Sequence, residues 1–260
     1  MTRAHRTTPH LFKKWKSIVR RIRGKKRIVI FLDFDGTLAR IAPMPDAVSL
    51  HSKTKEVLRR LGSRPNVEMI IISGRRRADL LRFIGLRKIK YMGLYGWENK
   101  TNKKVPYPQR VALAQTLVDL LAELPAYPGA WIEPKLNSFS VHLKGLTIDA
   151  QRELRQAVKK RVELLPETLQ AMNNLRDVEV APVSIGNKGV AVRNILGQAA
   201  MRGALPIYFG DDLSDEPAFA AAGKGVSILV GKRRETQAMF FVRGPAEVTA
   251  ALSKLEETIR

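Results

Sequence analysis

The stretch IVIFLDFDGTL, residues 28–38, decides the fold. Its first half, Ile28–Leu32, is a continuous run of apolar and mostly β-branched residues. Such a run is typical of a strand buried on both faces of a parallel sheet. The second half turns polar at Asp33 and adds a second carboxylate, Asp35, directly before Gly36. A buried strand that ends in two carboxylates and a glycine predicts a functional loop at the carboxyl end of a sheet.

Further apolar runs of the same kind recur along the chain, and segments with helical periodicity lie between or after several of them. Buried strands that alternate with helices predict an α/β fold with a doubly wound, mostly parallel, Rossmann-like sheet. The further strands are predicted at 67–72, 89–94, 205–209 and 226–230, and the helices at 53–61, 78–84, 188–201 and 215–222.

The middle of the chain breaks this rhythm. Pro106 and Pro108 mark a boundary, after which the pattern is helix, strand, strand, twice over. Strands of alternating polarity are typical of antiparallel sheets with one exposed face. We therefore predict a smaller α+β domain at 106–182, inserted into a sheet domain made of 27–105 and 183–260. Its helices are predicted at 109–124 and 149–165, and its strands at 131–133, 138–143, 169–173 and 178–181.

The composition excludes several classes of protein. Hydrophobic residues make up 45% and charged residues 27%, so collagen, coiled coil and wholesale disorder are excluded. The chain contains no cysteine, which excludes a disulfide scaffold, a thiolate metal site and a cysteine nucleophile. No apolar stretch approaches the ~18 residues of a membrane span, and no secretory-signal pattern is visible, so we expect a cytoplasmic protein.

The net charge is +22, from 46 Lys and Arg against 24 Asp and Glu, and it is unevenly spread. Residues 1–32 contain eleven basic residues and no acidic one. Within a basic tail at 1–26, Thr8 is predicted to cap a helix, and Gly24 lies just past its predicted end. The apolar residues of this helix lie within an arc of about 120°, and the basic residues lie outside it.

This basic amphipathic tail has two interpretations. In the first, the apolar stripe docks onto the body of the protein and leaves the charges in solvent. In the second, residues 8–27 bind an anionic membrane surface, as a peripheral association, or a nucleic acid or other polyanion. No specific nucleic-acid motif is present, and the sequence carries no signal for oligomeric state.

Polar clusters follow three of the predicted strands. Asp33 and Asp35 follow the first, Ser73-Gly74-Arg75 follows the second, and Gly210-Asp211-Asp212 follows the strand at 205–209. In open α/β sheets, ligands bind at the carboxyl ends of strands, so these clusters are expected to converge on one crevice. Asp33, Asp211 and Asp212, with Asp35 beside them, offer the oxygen ligands that suit Mg²⁺. Zinc is disfavoured because cysteine is absent and histidine is scarce.

These residue types suit phosphoryl transfer. Asp33 is predicted to be the nucleophile that forms an aspartyl-phosphate. Asp35 would protonate the leaving alkoxide and later activate water. Ser73 would donate a hydrogen bond to the phosphate, and Lys188, at the start of a predicted helix, would place a positive charge there.

Four groups of residues resemble the motifs of the haloacid dehalogenase superfamily, in order and spacing. In that superfamily, an acid two residues after the nucleophile marks phosphatases rather than ion-pumping ATPases, and here that acid is Asp35. An insertion between the second and third motifs resembles a C2-type cap. The four groups are Asp33-x-Asp35-Gly36-Thr37, Ser73, Lys188 and Gly210-Asp211-Asp212-x-x-Asp215.

The closer resemblance, from about 28 to 250, is to the trehalose-6-phosphate phosphatases. GDDLSDE at 210–216 is similar to the GDDxTDE of that family, and 38–46, 72–75, 187–189 and 236–238 are also similar. The resemblance implies hydrolysis of a sugar phosphate, trehalose 6-phosphate, by a Mg²⁺ enzyme with a sugar-binding cap. The residues that it implies for substrate binding are Gly74, Arg75, Glu98, Glu133, Lys135, His142 and Asn187.

The sequence departs from the family pattern at two positions. Tyr95 stands in the turn where the family usually has histidine, and Lys144 stands where the cap often has arginine. These departures leave open a phosphatase of another sugar or glycosyl phosphate. The charge of +22 suggests a third alternative, a catalytically inactive protein that binds a polyanion or a membrane. Against it, every position of the expected chemistry is intact.

Overall fold

The computed structural model describes residues 8–42, 45–99, 104–165 and 167–259. The chain divides into two compact units. The first consists of Met1–Thr101 and Asn187–Arg260, and the second of Asn102–Gly186. The boundaries expected from the sequence, 106 and 182, lie a few residues inside this division.

Two features expected from the sequence fall partly outside the described residues. They are the basic tail, of which residues 1–7 are not described, and the loop at 38–46, of which Pro43 and Met44 are not described.

Ten strands and eight α-helices are formed within the described ranges. The strands are β1 (Ile28–Leu32), β2 (Val67–Ile72), β3 (Lys90–Met92), β4 (Trp131–Pro134), β5 (Phe139–His142), β6 (Leu169–Asn173), β7 (Asp177–Pro182), β8 (Leu205–Gly210), β9 (Val226–Val230) and β10 (Phe240–Val242). The helices are α1 (Trp15–Ile22), α2 (Ser52–Gly62), α3 (Arg77–Ile84), α4 (Tyr107–Glu123), α5 (Ile148–Glu163), α6 (Lys188–Leu196), α7 (Glu216–Ala221) and α8 (Pro245–Thr258).

A six-stranded parallel sheet forms the centre of the first unit, in the order β10-β9-β8-β1-β2-β3. All five residues of β1 are buried. Ile30 packs in one apolar cluster and Phe31 in another, because successive side chains of a strand point to opposite faces. Both faces are therefore covered, as the continuous apolar run predicted, and the predicted α/β class with a parallel sheet is confirmed.

The predicted tail helix was wrong at its start. Thr8 does not cap it: a 3₁₀ turn begins at Leu11 and α1 follows at Trp15. The preceding residues are extended because they extend the sheet, with His10 bridged to Phe241 in parallel. Gly24 follows the helix with a φ of +77°, which suits a glycine at that end.

Three other details of the first unit differ from the sequence-based expectation. The predicted strand 89–94 is shorter, because the chain turns at Leu94–Gly96. The predicted helix 188–201 ends its α-helical part at Leu196, before Gly197. β10 and α8 were not among the elements predicted from the sequence.

The second unit contains a four-stranded antiparallel sheet in the order β4-β5-β7-β6. Its apolar core joins the sheet to both helices of the unit, through Leu120 of α4 and Val158 of α5 packed with Phe139 and Val180. The predicted sequence of helix, strand, strand, repeated once, is confirmed, and so is the antiparallel pairing.

Among the described residues, no helix is both long and apolar enough to cross a membrane.

Candidate active site

Three polar clusters follow three adjacent strands of the first unit. β1 pairs with β2 on one side and with β8 on the other, and Leu32 stands level with Ile71 and Phe209. The Asp33 amide donates to the Phe209 carbonyl at 3.0 Å. Because the strands are parallel, the loops that begin at Asp33, Ser73 and Asp211 leave the same edge of the sheet.

A buried ammonium connects two of the carboxylates at this edge. Lys188 Nζ donates to Asp33 Oδ1 and to Asp215 Oδ1, at 2.8 Å in each case. The side chains of Lys188, Asp33 and Asp215 are 3%, 6% and 0% exposed. The hydroxyl of Tyr208 also donates to Asp215 Oδ1, at 2.8 Å. Lys188 thus neutralises charge that burial would otherwise make very costly.

Burial and neighbouring charge shift the protonation equilibria of this network. Burial raises the pKa of Asp33 to about 7, although Lys188 acts in the opposite direction. Burial, together with repulsion from Asp33 and Asp215, raises the pKa of Asp211 well above its ordinary value. Burial alone would lower the pKa of Lys188, but the carboxylates of Asp215 and Asp33 outweigh it and raise that pKa. The cluster therefore favours a further cation beside Asp33 and Asp211.

The loop after β1 approaches Asp211 so closely that only glycine fits at position 36. Gly36 has a φ of +79°, and a Cβ built there would lie 2.0 Å from Asp211 Oδ2. The neighbouring Thr37 donates its hydroxyl to Asp211 Oδ1 at 3.1 Å. Gly36 and Thr37 together fix where the Asp211 carboxylate stands.

The acidic cluster fits a hard divalent cation such as Mg²⁺. Asp33, Asp211 and Asp215 each offer a carboxylate oxygen within 4.8 Å of the others. In Asp215, Oδ1 accepts hydrogen bonds from Lys188 and Tyr208, and Oδ2 accepts one from the amide of Asp212 at 3.0 Å. Within the described part of the chain, no group donates to Oδ2 of Asp33 or of Asp211. Those two oxygens are therefore available to a cation, and hard oxygens are the ligands that suit Mg²⁺.

Two predicted metal ligands have other partners in the structure. Asp35 is held by Arg75, with Nε to Oδ2 at 2.6 Å and Nη2 to Oδ1 at 2.8 Å. The side chain of Asp212 accepts from the amide of Leu213 and caps the short turn that precedes α7. Their part in holding a metal stays a prediction.

The loop after β2 is built by backbone contacts from the turn after β3. Leu94 donates its amide to the Arg75 carbonyl, and Tyr95 to the Ser73 carbonyl, at 2.9 Å in both cases. Leu94 and Tyr95 both adopt left-handed backbone angles, with φ of 45° and 58°, which is uncommon for residues with a Cβ. A Cβ on Gly74 would lie 2.9 Å from the Tyr95 hydroxyl, so Tyr95 covers the Ser73–Arg75 loop from one side.

Two of the residues implied for substrate binding stabilise helix starts. Asn187 Oδ1 accepts from the Val190 amide at 3.1 Å and caps α6, which begins at Lys188. Glu98 Oε2 accepts from the Arg77 amide at 2.7 Å at the start of α3. Asn187 thus caps the helix that carries Lys188, and Glu98 holds the start of α3, which follows the Ser73–Arg75 loop.

The three cap residues implied for sugar binding lie on β4, on β5 and in the turn between them. His142 Nε2 and Glu133 Oε2 are 2.8 Å apart, and the His142 ring stacks on Trp131 with the ring centroids 3.8 Å apart. Lys135 Nζ donates to Glu179 Oε2 at 2.6 Å. Lys144, the position of the second family departure, is exposed.

The part that Glu179 takes in this arrangement was not predicted from the sequence. Glu179 is fully buried in β7, and its Oε2 accepts from both Lys135 and the Ser140 hydroxyl. Burial alone would lower the pKa of Lys135, but the Glu179 carboxylate outweighs it and raises that pKa. The only local signal for this role was that Glu179 stands between two valines, Val178 and Val180.

In the first unit, the sequence left the roles of Asp215 and Arg234 undetermined. The spacing of Asp212 and Asp215 is that of a capping box, which the structure contains. Arg234 Nη2 donates to the carbonyls of Asp211 and Asp212, at 3.3 and 2.8 Å, and Arg234 also pairs with Glu216. No local pattern links Arg234 to a loop more than twenty residues earlier.

A parallel sheet with acidic loops at its carboxyl edge, and an antiparallel α+β unit inserted in the chain, agree with the class that the motifs predicted, the haloacid dehalogenase phosphatases with a C2-type cap. The sequence profile described as trehalose-phosphatase matches residues 31–250. The chain belongs to the trehalose-phosphatase family.

Curated relatives agree with this assignment, and a solved structure shares the fold. The trehalose 6-phosphate phosphatase RA3 of Zea mays is 29% identical over 255 residues, covering 88% of this chain and 70% of the relative. The trehalose-phosphate phosphatase of Mycobacterium tuberculosis is 30% identical over 245 residues, covering 89% of this chain and 62% of the relative. The C-terminal domain of the Candida albicans trehalose-6-phosphate phosphatase shares the fold, with a TM-score of 0.81 at 21% identity over 97% of this chain and 100% of that one.

Proposed function

We propose that this protein is a Mg²⁺-dependent phosphatase that hydrolyses trehalose 6-phosphate to trehalose and phosphate. The observation that carries the proposal is the buried Asp33 carboxylate. It is held by Lys188 and lies beside Asp211 at the carboxyl end of β1, in a chain of the trehalose-phosphatase family.

Asp33 is the nucleophile in this mechanism. Its carboxylate forms a bond to phosphorus while the bond between phosphorus and the sugar oxygen breaks. Water then attacks phosphorus, releases phosphate and restores Asp33. Lys188 orients Asp33 and offsets the negative charge that accumulates around it, and Ser73 donates to a phosphate oxygen. Mg²⁺ held by Asp33 and Asp211 would neutralise phosphate charge and favour the ionised carboxylates.

Asp35 transfers the proton in both steps. It protonates the departing sugar oxygen and then accepts a proton from the attacking water. Arg75 donates to both oxygens of Asp35, so Arg75 has to release one of them before that oxygen can carry the proton. The substrate phosphate offers Arg75 another anionic partner with matching geometry, which couples substrate binding to release of Asp35.

The second unit is proposed to recognise the sugar. Glu133, Lys135 and His142 are polar side chains held by a preorganised network, and such groups suit the hydroxyls of a disaccharide. Glu133→Ala or His142→Ala should reduce turnover of the sugar phosphate far more than turnover of a small aryl phosphate, because remote binding energy helps to position the reacting group. Lys159→Ala, an exposed position on α5, is the matched control. Equal losses on both substrates would exclude these residues from sugar recognition.

A phosphatase of another sugar phosphate is the second candidate, favoured by Tyr95 in the turn after β3 and by Lys144. Phosphate release should be measured with Mg²⁺ and with EDTA. The panel is trehalose 6-phosphate, sucrose 6-phosphate, glucose 6-phosphate and an aryl phosphate. We expect Mg²⁺-dependent turnover, with the highest kcat/KM for trehalose 6-phosphate. A higher value for another sugar phosphate would establish the second candidate, and no turnover of any substrate would refute the enzyme.

A further inference from the structure

The basic segment at 8–27 is fixed on the first unit by its apolar face. Leu11, Ile18 and Ile22 are buried in the main apolar cluster of the sheet. The sheet bridge at His10 and a hydrogen bond between His10 Nε2 and Glu247 Oε2 at 2.9 Å hold its start. Arg21 donates to the carbonyls of residues 224 and 225, at 2.8 and 3.1 Å. The docking of the apolar stripe onto the body of the protein, the first interpretation of this tail, is confirmed.

The opposite face of this segment presents a row of cations. Lys16 and Arg20 stand four residues apart on α1 and so share one face of it. Lys13 lies in the 3₁₀ turn before α1, and Arg23 follows α1 directly. All four are exposed, as are three further basic residues of the segment. Along the described chain, no carboxylate forms an ion pair with any of these seven. The three further residues are Lys14, Lys25 and Lys26.

Within the fold the first part of this row is unfavourable, whereas Arg20 and Arg23 stand at the end of α1 where the helix dipole favours cations. Like charges three and four residues apart repel each other on a helix. Lys13, Lys14 and Lys16 also stand near the positive end of the helix dipole. Residues 8–32 contain no acidic side chain that could offset these effects. Since the apolar face already anchors the segment, the row of cations indicates a partner that supplies negative charge.

We propose that this row, Lys13, Lys16, Arg20 and Arg23, binds the phosphate backbone of a nucleic acid without sequence preference. An interfacial helix inserts its apolar face into lipid, but the apolar face of this segment lies inside the protein. The partner is therefore recognised by charge. Phe12 and Trp15 pack against the core and Lys254 covers the Trp15 ring, so neither ring is free to stack on bases. A row of cations without stacking aromatics suits backbone phosphates.

The test uses the full chain and a fluorescent 20-base-pair DNA duplex, with binding measured across a range of salt concentrations. The test variant replaces Lys13, Lys16, Arg20 and Arg23 by alanine, which favours the helix and leaves the buried stripe intact. Each lost phosphate contact should reduce the slope of log Kobs against log salt by about 0.9, so four contacts give a change of about 3.6. Affinity at 100 mM salt should fall by more than about tenfold. The matched control removes four exposed cations elsewhere on the first unit, Lys53, Lys55, Arg87 and Lys88.

The outcomes separate the alternatives. A loss confined to the test variant, equal on two duplexes of different sequence, supports the proposal. Equal losses in test and control variants would show that only net charge matters and overturn it. Binding to vesicles with 30% phosphatidylserine, without binding to the duplex, would assign the surface to membranes instead. Far-UV circular dichroism and phosphate release from the sugar phosphate show whether each variant is folded, since none of the eight residues belongs to the candidate active site.

Discussion

Replacing Asp33 by asparagine should separate stability from activity. In the metal-free protein, burial raises the pKa of Asp33 from 3.8 to about 7. Between these values the folded state binds more protons than the unfolded state, so the free energy of unfolding falls as pH rises from about 4 to 7. At pH 8 the ionised carboxylate costs the folded state on the order of 4 kcal/mol, since one pKa unit corresponds to about 1.36 kcal/mol.

Asp33→Asn removes that charge while keeping the shape of the side chain. In EDTA at pH 8, its free energy of unfolding should exceed that of the wild type by about 1–2 kcal/mol. This gain is smaller than the cost of about 4 kcal/mol given above, because asparagine also loses the charge-assisted hydrogen bond to Lys188. For a protein of this size, that corresponds to an increase in Tm of about 2–8 °C. At pH 5, where the wild-type carboxyl is protonated, the difference should vanish or change sign.

Urea unfolding and thermal scans at pH 5 and pH 8, in EDTA and in Mg²⁺, measure this effect. Mg²⁺ should stabilise the wild type more than the variant, because the variant lacks one anionic ligand. Asp35→Asn is the matched control, since Asp35 is a third exposed and pairs with Arg75. Suppose that the free energy of unfolding of Asp33→Asn exceeds that of the wild type equally at both pH values, or not at all at pH 8. Either result would refute the claim that burial raises the pKa of Asp33. Phosphatase turnover above about a tenth of the wild-type value would refute the covalent mechanism.

Three further substitutions test other parts of the structure. Lys188→Ala should lower kcat by roughly 10²–10³, as expected when one stabiliser of transition-state charge is lost, and an unchanged kcat would exclude Lys188 from the chemistry. Gly36→Ala should weaken Mg²⁺ binding, measured by calorimetry, because the added methyl group collides with Asp211; unchanged affinity would remove Asp211 from the metal site. Glu179→Gln should destabilise the protein to urea by about 3–5 kcal/mol, since it leaves the Lys135 ammonium without its buried partner. The double variant with Lys135→Met should recover much of that loss, and no recovery would show that the pair is not the cause.

Local patterns in the sequence determined the main elements of both units. The run at 28–32 could only be a strand with two covered faces, because five successive apolar side chains leave neither face polar. The polar clusters at 33–37, 73–75 and 210–212 follow their strands directly. Their meeting at one edge of the sheet therefore follows from the parallel arrangement. The acidic character of this edge was readable for the same reason.

Only the tertiary structure decided which side chains pair across the chain. Asp215 reads locally as a helix-start residue, but it shares a buried ammonium with Asp33, nearly two hundred residues away. Asp35 reads as a free carboxylate, but Arg75 holds it. The start of the basic tail was misjudged because its extended residues depend on β10, a strand of three residues that is too short to show a pattern of its own. Hydrophobic periodicity determines which residues are buried, because that is a property of neighbours in the sequence. The charge that each buried group meets depends on residues far apart in the chain, and no local pattern records it.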